Sequence, residues 1–354
     1  MNPIDLPART MPGATPGRAR LGVVLVNYKR ADDTIECLES LARSTIPLRV
    51  VVVDNASGDG SLDTIAEWAA GRHLPPPPSP AMAGFSQPPL PKPLAVAPVR
   101  MTAEQAVTIN PASALALVDA GANGGFAAGN NIGLRHLLRD PGIDHVWLLN
   151  NDTVVDPAAA AALLTRLDAT PGVGMCGTVV RYYWQPDTVQ ALNGLRFDML
   201  TGSSKCIGGG TPASAPFNPG RVAAETDFII GASLAVSRQF VATVGLMSEA
   251  YFLYFEEIDW AMRNDGRFKT TFAQGAIVYH KEGGSIGSSA IAGARSTLSD
   301  YWMTRSRLRF IARFRPLLLP WHAVLTVFLA LRRLLRRQPR KAAAIVRALF
   351  GVKY

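Results

Sequence analysis

The most informative stretch of the chain is Val146-Trp147-Leu148-Leu149-Asn150-Asn151-Asp152, because an apolar run ends abruptly in three side chains that can form hydrogen bonds or bind a metal. The apolar run predicts a buried strand, and open α/β sheets bind ligands beyond the carboxyl ends of their strands. Asp152 is therefore a candidate ligand for a divalent cation on a nucleotide diphosphate. Taken alone, the same residues favour a turn followed by a helix N-cap.

Strand and helix patterns alternate along the chain. Short apolar runs at 21–26 and 50–53 are each followed by apolar residues at helical spacing, at 30–44 and 61–70. This order predicts a parallel sheet with right-handed crossovers. Further strands are predicted at 114–118, 146–149, 173–180 and 270–280, a glycine-rich loop at 121–133, and further helices at 130–139, 157–169 and 237–244. The predicted fold class is α/β, with a mostly parallel, Rossmann-like central sheet flanked by helices.

Composition divides the chain into parts. Residues 1–20 lack an apolar core, which predicts a flexible leader rather than a signal peptide. Residues 21–290 form the predicted main domain. It is interrupted at 73–111 by a proline-rich segment, which cannot supply the backbone donors of a helix or central strand and is expected to be a solvent-exposed insertion. Residues 194–219 have a loop-like composition, and residues 291–354 form a basic helical region.

The formal charge of +9 is largely a property of the C-terminal region, because no acidic residue follows Asp300. A basic excess is typical of chains that bind nucleic acid, anionic lipid or a phosphorylated substrate. The region contains no recognisable nucleic-acid module, which disfavours nucleic acid as a partner. Three cysteines without CxxC spacing indicate neither a disulfide framework nor a zinc site, and they favour a reducing cytosol.

Polar residues follow four of the predicted strands. They are Asn27-Tyr28, Asp54-Asn55, Asn123 with its neighbouring glycines, and Asn150-Asn151-Asp152. Because the carboxyl ends of parallel strands meet at one edge, these residues could line a single crevice. In it, Asp54 could accept hydrogen bonds from a base imide, and Tyr28 could stack on that base. His280 ends a later strand and could act as a neutral imidazole ligand for a metal.

A cluster of carboxylates lies among aromatic residues at Phe255-Glu256-Glu257-Ile258-Asp259-Trp260. Clustered acids among aromatic residues can raise the pKa of one of their carboxyl groups. A raised pKa suits a general base that takes a proton from a sugar hydroxyl near neutral pH. The alternative is a helix N-terminus whose acids favour the helix dipole, with an Asp259–Arg263 pair one turn apart. That alternative fits Glu256 and Asp259 well, so Glu257 is the candidate for chemistry.

Five motifs occur in order over residues 21–310. They are Val24-Leu25-Val26-Asn27-Tyr28, Val52-Val53-Asp54-Asn55-Ala56-Ser57, Asn123-Gly124-Gly125-Phe126-Ala127-Ala128-Gly129-Asn130-Asn131, Leu149-Asn150-Asn151-Asp152 and Tyr254-Phe255-Glu256-Glu257-Ile258-Asp259-Trp260. As a set they are far more specific than any one of them. With these motifs the chain resembles the family 2 inverting glycosyltransferases of the GT-A fold, and within them the bacterial rhamnosyltransferase-like members.

The resemblance implies that residues 21–290 are a GT-A catalytic domain with a nucleotide-sugar donor bound at the strand ends. Glu257 holds the position of the catalytic base, and Asp152 and His280 hold those of the contacts to Mg²⁺ or Mn²⁺ and the donor diphosphate. The residues implied to contact the donor are Asn27, Tyr28, Asp54, Asn55, Asn123, Gly125, Asn130 and Asn151. Inversion would follow from one in-line displacement by an acceptor hydroxyl.

Two positions depart from the family pattern. Asn150 supplies a neutral amide where many relatives have a carboxylate, which implies weaker metal binding. Glu257 stands where Asp is usual, so its carboxylate reaches one methylene further, and Glu256 remains an alternative base. The proline-rich segment at 73–111 has no counterpart in the family core.

The C-terminal region suggests contact with a membrane. Residues 316–331 are nearly uncharged and are followed by Arg332-Arg333. Sixteen residues fall short of the ~20 that cross a hydrocarbon core, and Pro320 and His322 also disfavour a span. An interfacial helix on anionic lipid, at the cytoplasmic face of the plasma membrane, is the favoured interpretation. The alternative is an ordinary pair of helices packed on the catalytic domain.

The leading functional hypothesis is therefore a transferase for cell-surface polysaccharide synthesis. Its donor would be a nucleotide sugar, with dTDP-rhamnose favoured, and its acceptor a hydroxyl of a glycan or a polyprenyl-linked glycan. The alternative hypothesis is a nucleotide-binding, degenerate transferase without catalysis, which the departures at Asn150 and Glu257 motivate.

Overall fold

The computed structural model describes residues 18–94, 98–108, 113–282 and 296–354. Most of the leader predicted at 1–20, and the domain boundary predicted at 290, lie outside these residues. The strands are β1 Leu21–Asn27, β2 Leu48–Asp54, β3 Val99–Thr102, β4 Leu115–Asp119, β5 His145–Asn150, β6 Thr153–Val155, β7 Val173–Tyr182, β8 Gln185–Leu192, β9 Gly194–Asp198, β10 Ser203–Cys206, β11 Phe228–Ile229, β12 Ser233–Ser237 and β13 Lys269–His280.

The helices flank these strands and continue beyond them at the C-terminal end. They are α1 Ala31–Leu41, α2 Ser61–Ala69, α3 Ala83–Ser86, α4 Ala103–Ala106, α5 Gly125–Leu137, α6 Ala159–Asp168, α7 Pro219–Glu225, α8 Arg238–Val244, α9 Glu256–Asn264, α10 Thr297–Phe314, α11 Leu319–Leu335 and α12 Pro339–Leu349. Short 3₁₀ turns at Pro80–Met82 and Pro316–Leu318 precede α3 and α11.

The central sheet has the strand order β3-β4-β2-β1-β5-β12-β7-β13-β6, with β8 paired to β7. Strands β3, β4, β2, β1 and β5 are parallel to one another, whereas β12 runs antiparallel between β5 and β7. The register places Asn27 of β1 beside Asp54 of β2. The predicted α/β class, with a mostly parallel sheet between helices, is confirmed.

The core consists of two apolar layers, one on each face of the sheet. Alternate residues of a strand point to opposite faces, so Leu21, Val23 and Leu25 of β1 pack in one layer and Val24 in the other. The first layer is covered by α1, α2 and α6, and the second by α5, α8 and α9. Burial on both faces explains why the strands read as continuous apolar runs in the sequence.

The glycine-rich segment predicted as a loop at 121–133 is instead mostly helix, because α5 begins at Gly125. A Cβ atom at Gly133 would lie 2.5 Å from a methyl carbon of Val24, and one at Gly129 would lie 2.7 Å from a methyl carbon of Val26. The two glycines therefore allow α5 to pack closely on β1. This requirement outweighs the low helix propensity of glycine.

Two other segments predicted to lack regular structure contain strands. Within 73–111, Val99–Thr102 forms the edge strand β3, and Met82 and Ala106 are buried. An edge strand tolerates the neighbouring prolines because its outer side needs no backbone donors. Within 194–219, β9 and β10 pair with each other, and β9 also pairs with β11, in a separate three-stranded sheet. Several positions of β9 and β10 are exposed, so this segment lacks the apolar pattern from which a strand is predicted.

The C-terminal region is helical, as predicted. The helical segment is longer than the sixteen nearly uncharged residues, because the 3₁₀ turn and α11 together run over Pro316–Leu335 and include Arg332 and Arg333. These 20 residues are long and apolar enough to cross a membrane by length and composition. Pro320 lies in the first turn of α11, where its missing N–H removes no helical hydrogen bond.

Replacing Gly133 by alanine tests the close packing of α5 on β1. The added methyl group overlaps the Val24 side chain, so Gly133→Ala is expected to lower the free energy of unfolding by roughly 1–3 kcal/mol, although alanine is the better helix former. Urea denaturation measures the change. Gly84→Ala, at a helical glycine with open space around it, is the control and should not destabilise the protein. An equal effect of both variants would contradict the packing explanation.

Candidate active site

A three-residue strand brings the main candidate residues together. After β5 ends at Asn150, the chain turns through Asn151 and Asp152, and β6 pairs antiparallel with the end of β13. This pairing sets Thr153 opposite His280. As a result Oδ1 of Asp152 lies 3.2 Å from Nε2 of His280. The two predicted metal ligands are therefore neighbours in the structure.

Both nitrogens of the His280 ring have defined partners. Nδ1 lies 2.9 Å from Oε1 of Gln190 on β8, which can only accept, so Nδ1 donates. Nε2 faces Asp152 and lies 3.2 Å from Nδ2 of Asn150. Burial disfavours the charged ring, but the Asp152 carboxylate outweighs this effect and raises the pKa of His280. Burial acts to raise the pKa of Asp152, and the neighbouring His280 outweighs it, so this pKa is lowered.

Asp152 and His280 form an ion pair, and their separation also fits two ligands of one cation. Ligand atoms at ~2.1 Å from an octahedral cation lie about 3 Å apart at adjacent positions, close to the observed separation of the two side chains. In the part of the chain that the structure describes, no three His, Cys, Asp or Glu side chains form a complete metal site. Asp152 and His280 would hold Mg²⁺ or Mn²⁺ only together with oxygens of a bound diphosphate and water.

Lys281, which follows His280, anchors this end of β13. Its backbone N–H donates to the Asp152 carbonyl oxygen at 3.0 Å. Its ammonium group lies 2.6 Å from carboxylate oxygens of both Asp33 and Glu36 on α1. The two carboxylates outweigh the effect of burial and raise the pKa of Lys281. The ion pairs of Lys281 hold the end of β13, and the Asp152–His280 pair beside it, against α1.

Asp54 is engaged almost entirely by the protein. Oδ1 accepts hydrogen bonds from Asn27 Nδ2 at 2.6 Å and from the Ser57 hydroxyl at 2.5 Å, and Oδ2 accepts from the Ser57 N–H at 2.9 Å. Asn27 is fully buried and is also bonded through Oδ1 to Thr34 and Asn151. Three predicted donor-site side chains, those of Asn27, Asp54 and Asn151, thus lie at one strand edge, and Asn27 and Asn151 lie beneath its surface. Among the described residues, Oδ1 of Asp54 accepts two hydrogen bonds and Oδ2 accepts one.

Asn55 joins the second strand end to the start of α5. Its Nδ2 donates to Asn123 Oδ1 and to the Gly125 carbonyl oxygen, each at 3.0 Å. Its buried Oδ1 has no hydrogen-bond partner among the described residues, so it is available to a ligand donor. Tyr28 is partly exposed beside this edge. Asn130 is buried and bonds to the Phe126 carbonyl oxygen within α5, which places it outside the open face.

Glu257 lies in the first turn of α9 and is partly exposed, whereas Glu256 is buried. A Cβ atom at Gly231 would overlap Oε1 of Glu257, so the carboxylate lies directly against the backbone there. The next residue, Ala232, accepts a hydrogen bond from the Asn150 N–H at 3.0 Å. Glu257 is therefore connected through Gly231 and Ala232 to the strand end that carries Asp152.

The two glutamates titrate above the usual range. Burial raises the pKa of Glu257 to about 7. Burial and the neighbouring Glu257 carboxylate raise the pKa of Glu256 well above its usual value. Oε2 of Glu256 has no hydrogen-bond partner among the described residues, which is consistent with a neutral, protonated side chain. The partly exposed Glu257 is the carboxylate that can exchange a proton with a ligand near neutral pH.

The third acid of the cluster is structural. Asp259 is fully buried, and its oxygens bind Arg263 Nε at 2.7 Å, the Tyr251 hydroxyl at 3.0 Å and Arg313 at 3.1 Å. The Asp259–Arg263 pair one helical turn apart is the one that the sequence suggested. The Arg313 contact ties α10 to the helix that carries Glu257.

Sequence reasoning missed several residues that shape the site. The sequence around Gln190 gives no indication that its side chain contacts His280. The apolar segment around Gly231 likewise gives no indication that this glycine contacts Glu257. Thr34 and Ser57 were overlooked because hydroxyl residues near turns are common. Asn131 was quoted as part of a motif without a role, yet it holds the loop before α9 through Met247, whose N–H and carbonyl oxygen it binds. The roles of these residues follow only from the residues that they contact in the structure.

Comparison with solved structures shows what kind of fold this is. No family model and no curated protein matches the chain. It is similar to the mannosyltransferase PcManGT from Pyrobaculum calidifontis, solved in complex with GDP-Man and Mn2+, at a TM-score of 0.50 and 15% identity, over 94% of this chain and 87% of that chain. This likeness shows that the chain has a glycosyltransferase fold.

Two further solved structures match at lower scores. TarS from S. aureus has a TM-score of 0.47 and 13% identity, over 88% of this chain and 42% of that chain. A mycobacterial protein has a TM-score of 0.43 and 14% identity, over 86% of this chain and 80% of that chain.

Replacing Gln190 tests whether it holds His280 in the form that binds a metal. Without its acceptor at Nδ1 the ring loses its fixed tautomer and orientation, so Gln190→Met is expected to weaken Mn²⁺ binding about 10- to 100-fold in the presence of a nucleoside diphosphate. Titration followed by the electron paramagnetic resonance signal of free Mn²⁺ measures the affinity. Gln185→Met, at an exposed position of the same strand, is the control. Equal affinities for the two folded variants would exclude this role.

Proposed function

We propose that this protein is an inverting glycosyltransferase of the GT-A, family 2 type. In this proposal it transfers a sugar from a nucleotide donor, with dTDP-rhamnose favoured, to a hydroxyl of a glycan or polyprenyl-linked acceptor in cell-surface polysaccharide synthesis. A cytoplasmic location at the inner face of the plasma membrane belongs to the same proposal. Mg²⁺ or Mn²⁺ is the proposed cofactor, with Asp152 and His280 as its protein ligands.

One observation carries this proposal. The Asp152–His280 pair lies at the end of β5, and a carboxylate with a raised pKa, Glu257, is connected to the same strand end through Gly231 and Ala232. A transfer to a hydroxyl from a diphosphate leaving group requires groups of these two kinds. The glycosyltransferase fold and the Mn2+ and GDP-Man in the P. calidifontis structure support it. The choice of rhamnose rests only on the sequence resemblance.

In the proposed reaction, the oxygen of the acceptor hydroxyl attacks the anomeric carbon of the donor sugar. Glu257 accepts the proton of that hydroxyl. The bond from that carbon to the diphosphate oxygen breaks on the opposite face, and the nucleoside diphosphate leaves with the electron pair. A bound divalent cation would neutralise the charge on the departing diphosphate. Asn55 and Asp54 would orient the nucleoside through the acceptor atoms that remain free. No covalent intermediate is needed.

The alternative function is a nucleotide-binding protein of the same fold without catalysis. Its support is that, among the described residues, no third His, Cys, Asp or Glu side chain joins Asp152 and His280, and the neutral Asn150 lies beside them. A hydrolysis screen over nucleotide sugars that include dTDP-rhamnose, with Mn²⁺ present, separates the two functions. Turnover of any donor supports the transferase, whereas binding without turnover of every donor supports the alternative.

Removing the proposed base tests its role. Glu257→Gln is expected to lower kcat for glycosyl transfer by about 10²- to 10⁴-fold and to leave nucleotide affinity nearly unchanged, because the amide cannot accept a proton. The matched variant Glu256→Gln replaces the neighbouring buried acid and should retain activity. Transfer rates with a fluorescent acceptor and nucleotide titrations measure both. If Glu256→Gln is the inactive variant, the base is assigned wrongly.

The raised pKa of Glu257 also predicts a pH dependence. The carboxylate form is the active base and predominates above about pH 7, so kcat should fall about tenfold per pH unit below that value. An ordinary exposed glutamate would keep its activity down to about pH 4–5. A kcat profile measured at saturating donor and acceptor tests this. A profile that stays flat to pH 5 would show that no group with a raised pKa controls the reaction.

A further inference from the structure

Helix α11 has the reverse of the usual polarity of a helix in a water-soluble domain. Its outward residues Trp321, Val324, Phe328 and Leu331 are each more than half exposed to solvent. Its buried residues are His322, Thr326 and Ala330, spaced four apart, so the inward stripe is small and polar. A helix that only packs on a domain directs its apolar stripe inward. The exposed apolar surface of α11 is therefore suited to an apolar partner.

The inward stripe of α11 is bonded to the rest of the protein. Nε2 of His322 lies 3.0 Å from the Met199 carbonyl oxygen in the turn between β9 and β10. The Thr326 hydroxyl accepts a hydrogen bond at 2.7 Å from Arg307 of α10, a buried guanidinium. Trp321 donates through Nε1 to the Leu200 carbonyl oxygen at 2.8 Å. These bonds fix which face of α11 points outward.

Basic side chains surround the end of the same helix. Arg332, Arg336, Arg337, Arg340 and Arg347 are exposed, and within the described ranges none of them has a carboxylate partner. No acidic residue follows Asp300 in the sequence. An apolar helix face bordered by unpaired arginines is complementary to an anionic lipid surface. Two copies of this face would instead bring like charges together.

We propose that the outward face of α11, with the arginines at its C-terminal end and in α12, binds the surface of an anionic lipid bilayer and lies in the interface. The stretch Pro316–Leu335 is long enough to cross a bilayer. Crossing would separate His322 and Thr326 from their partners and leave the buried Arg307 without the hydroxyl that it binds. The inward polar stripe thus favours a helix parallel to the membrane.

The proposal extends the proposed transferase, because it names the surface on which a lipid-linked acceptor would be met. Helix α10 joins this surface to the catalytic helix. Its Ser306 donates to the Leu253 carbonyl oxygen at 2.7 Å, and its Ser299 accepts from the Tyr254 hydroxyl at 3.1 Å. Membrane binding requires no turnover, so it can be tested even if the proposed reaction fails.

Flotation with lipid vesicles tests the charge requirement. The full chain is expected to float with phosphatidylcholine vesicles that contain phosphatidylglycerol and not with phosphatidylcholine alone. The triple variant Arg332→Gln/Arg336→Gln/Arg340→Gln should bind the anionic vesicles on the order of 100-fold more weakly at low salt. The control Arg72→Gln/Arg221→Gln/Lys269→Gln removes the same charge from exposed positions elsewhere and should bind like the wild type. Equal losses in both variants would overturn a localised surface.

The apolar requirement is tested with Phe328→Ser/Leu331→Ser, which should weaken vesicle binding even at high salt. The control Leu74→Ser/Trp184→Ser changes two exposed apolar residues outside the C-terminal region and should have no effect.

Sedimentation velocity of the wild type tests whether a second copy of the protein covers the outward face of α11 instead of a membrane. A dimer that Phe328→Ser/Leu331→Ser dissociates, together with no vesicle binding, would show that a second copy covers the face and would overturn the proposal. Donor hydrolysis measured on the same samples reports separately on the transferase.

Discussion

The candidate site depends on the antiparallel pairing of β6 with the end of β13. Asn150 and His280 are 130 positions apart in the sequence, and this pairing is what places them in contact. The pairing is short, and the ion pairs of Lys281 with α1 reinforce it. Because an ordered pair of ligands avoids the entropy of assembling them on binding, the strand pairing would prepare the proposed site for a cation and its diphosphate.

The loop before α9 connects the candidate base to the C-terminal helices. Tyr254 and Phe255 both adopt the left-handed conformation, which costs on the order of 1 kcal/mol for each such residue. Contacts to α10 hold them there: Phe255 packs on Phe310 with ring centroids 5.4 Å apart, and Tyr254 bonds to Ser299. The position of Glu257 therefore depends on contacts between this loop and α10.

The sequence predicted the parts of the structure whose signals are local. Buried parallel strands are continuous apolar runs, so β1, β2 and β5 and their polar ends could be recognised, and the order of those ends predicted one shared edge. The glycines of α5 were misassigned because their reason, contact with Val24 and Val26, lies in another element. Gln190 and Gly231 could not be found for the same reason. The polarity of α11 was not predicted, because only the structure shows that His322, Thr326 and Ala330 are its buried residues.

Gly231 and Glu257 also constrain how this site can change in evolution. The glutamate is one methylene longer than the aspartate usual at this position in the family that the chain resembles, and the missing Cβ at Gly231 leaves the space that it fills. Alanine at position 231 would displace the carboxylate while glutamate is present. The atom that causes the overlap is Oε1 of Glu257, which the shorter side chain of aspartate would not carry. The two positions are therefore expected to vary together among homologues, and a change to aspartate would be the permissive first step.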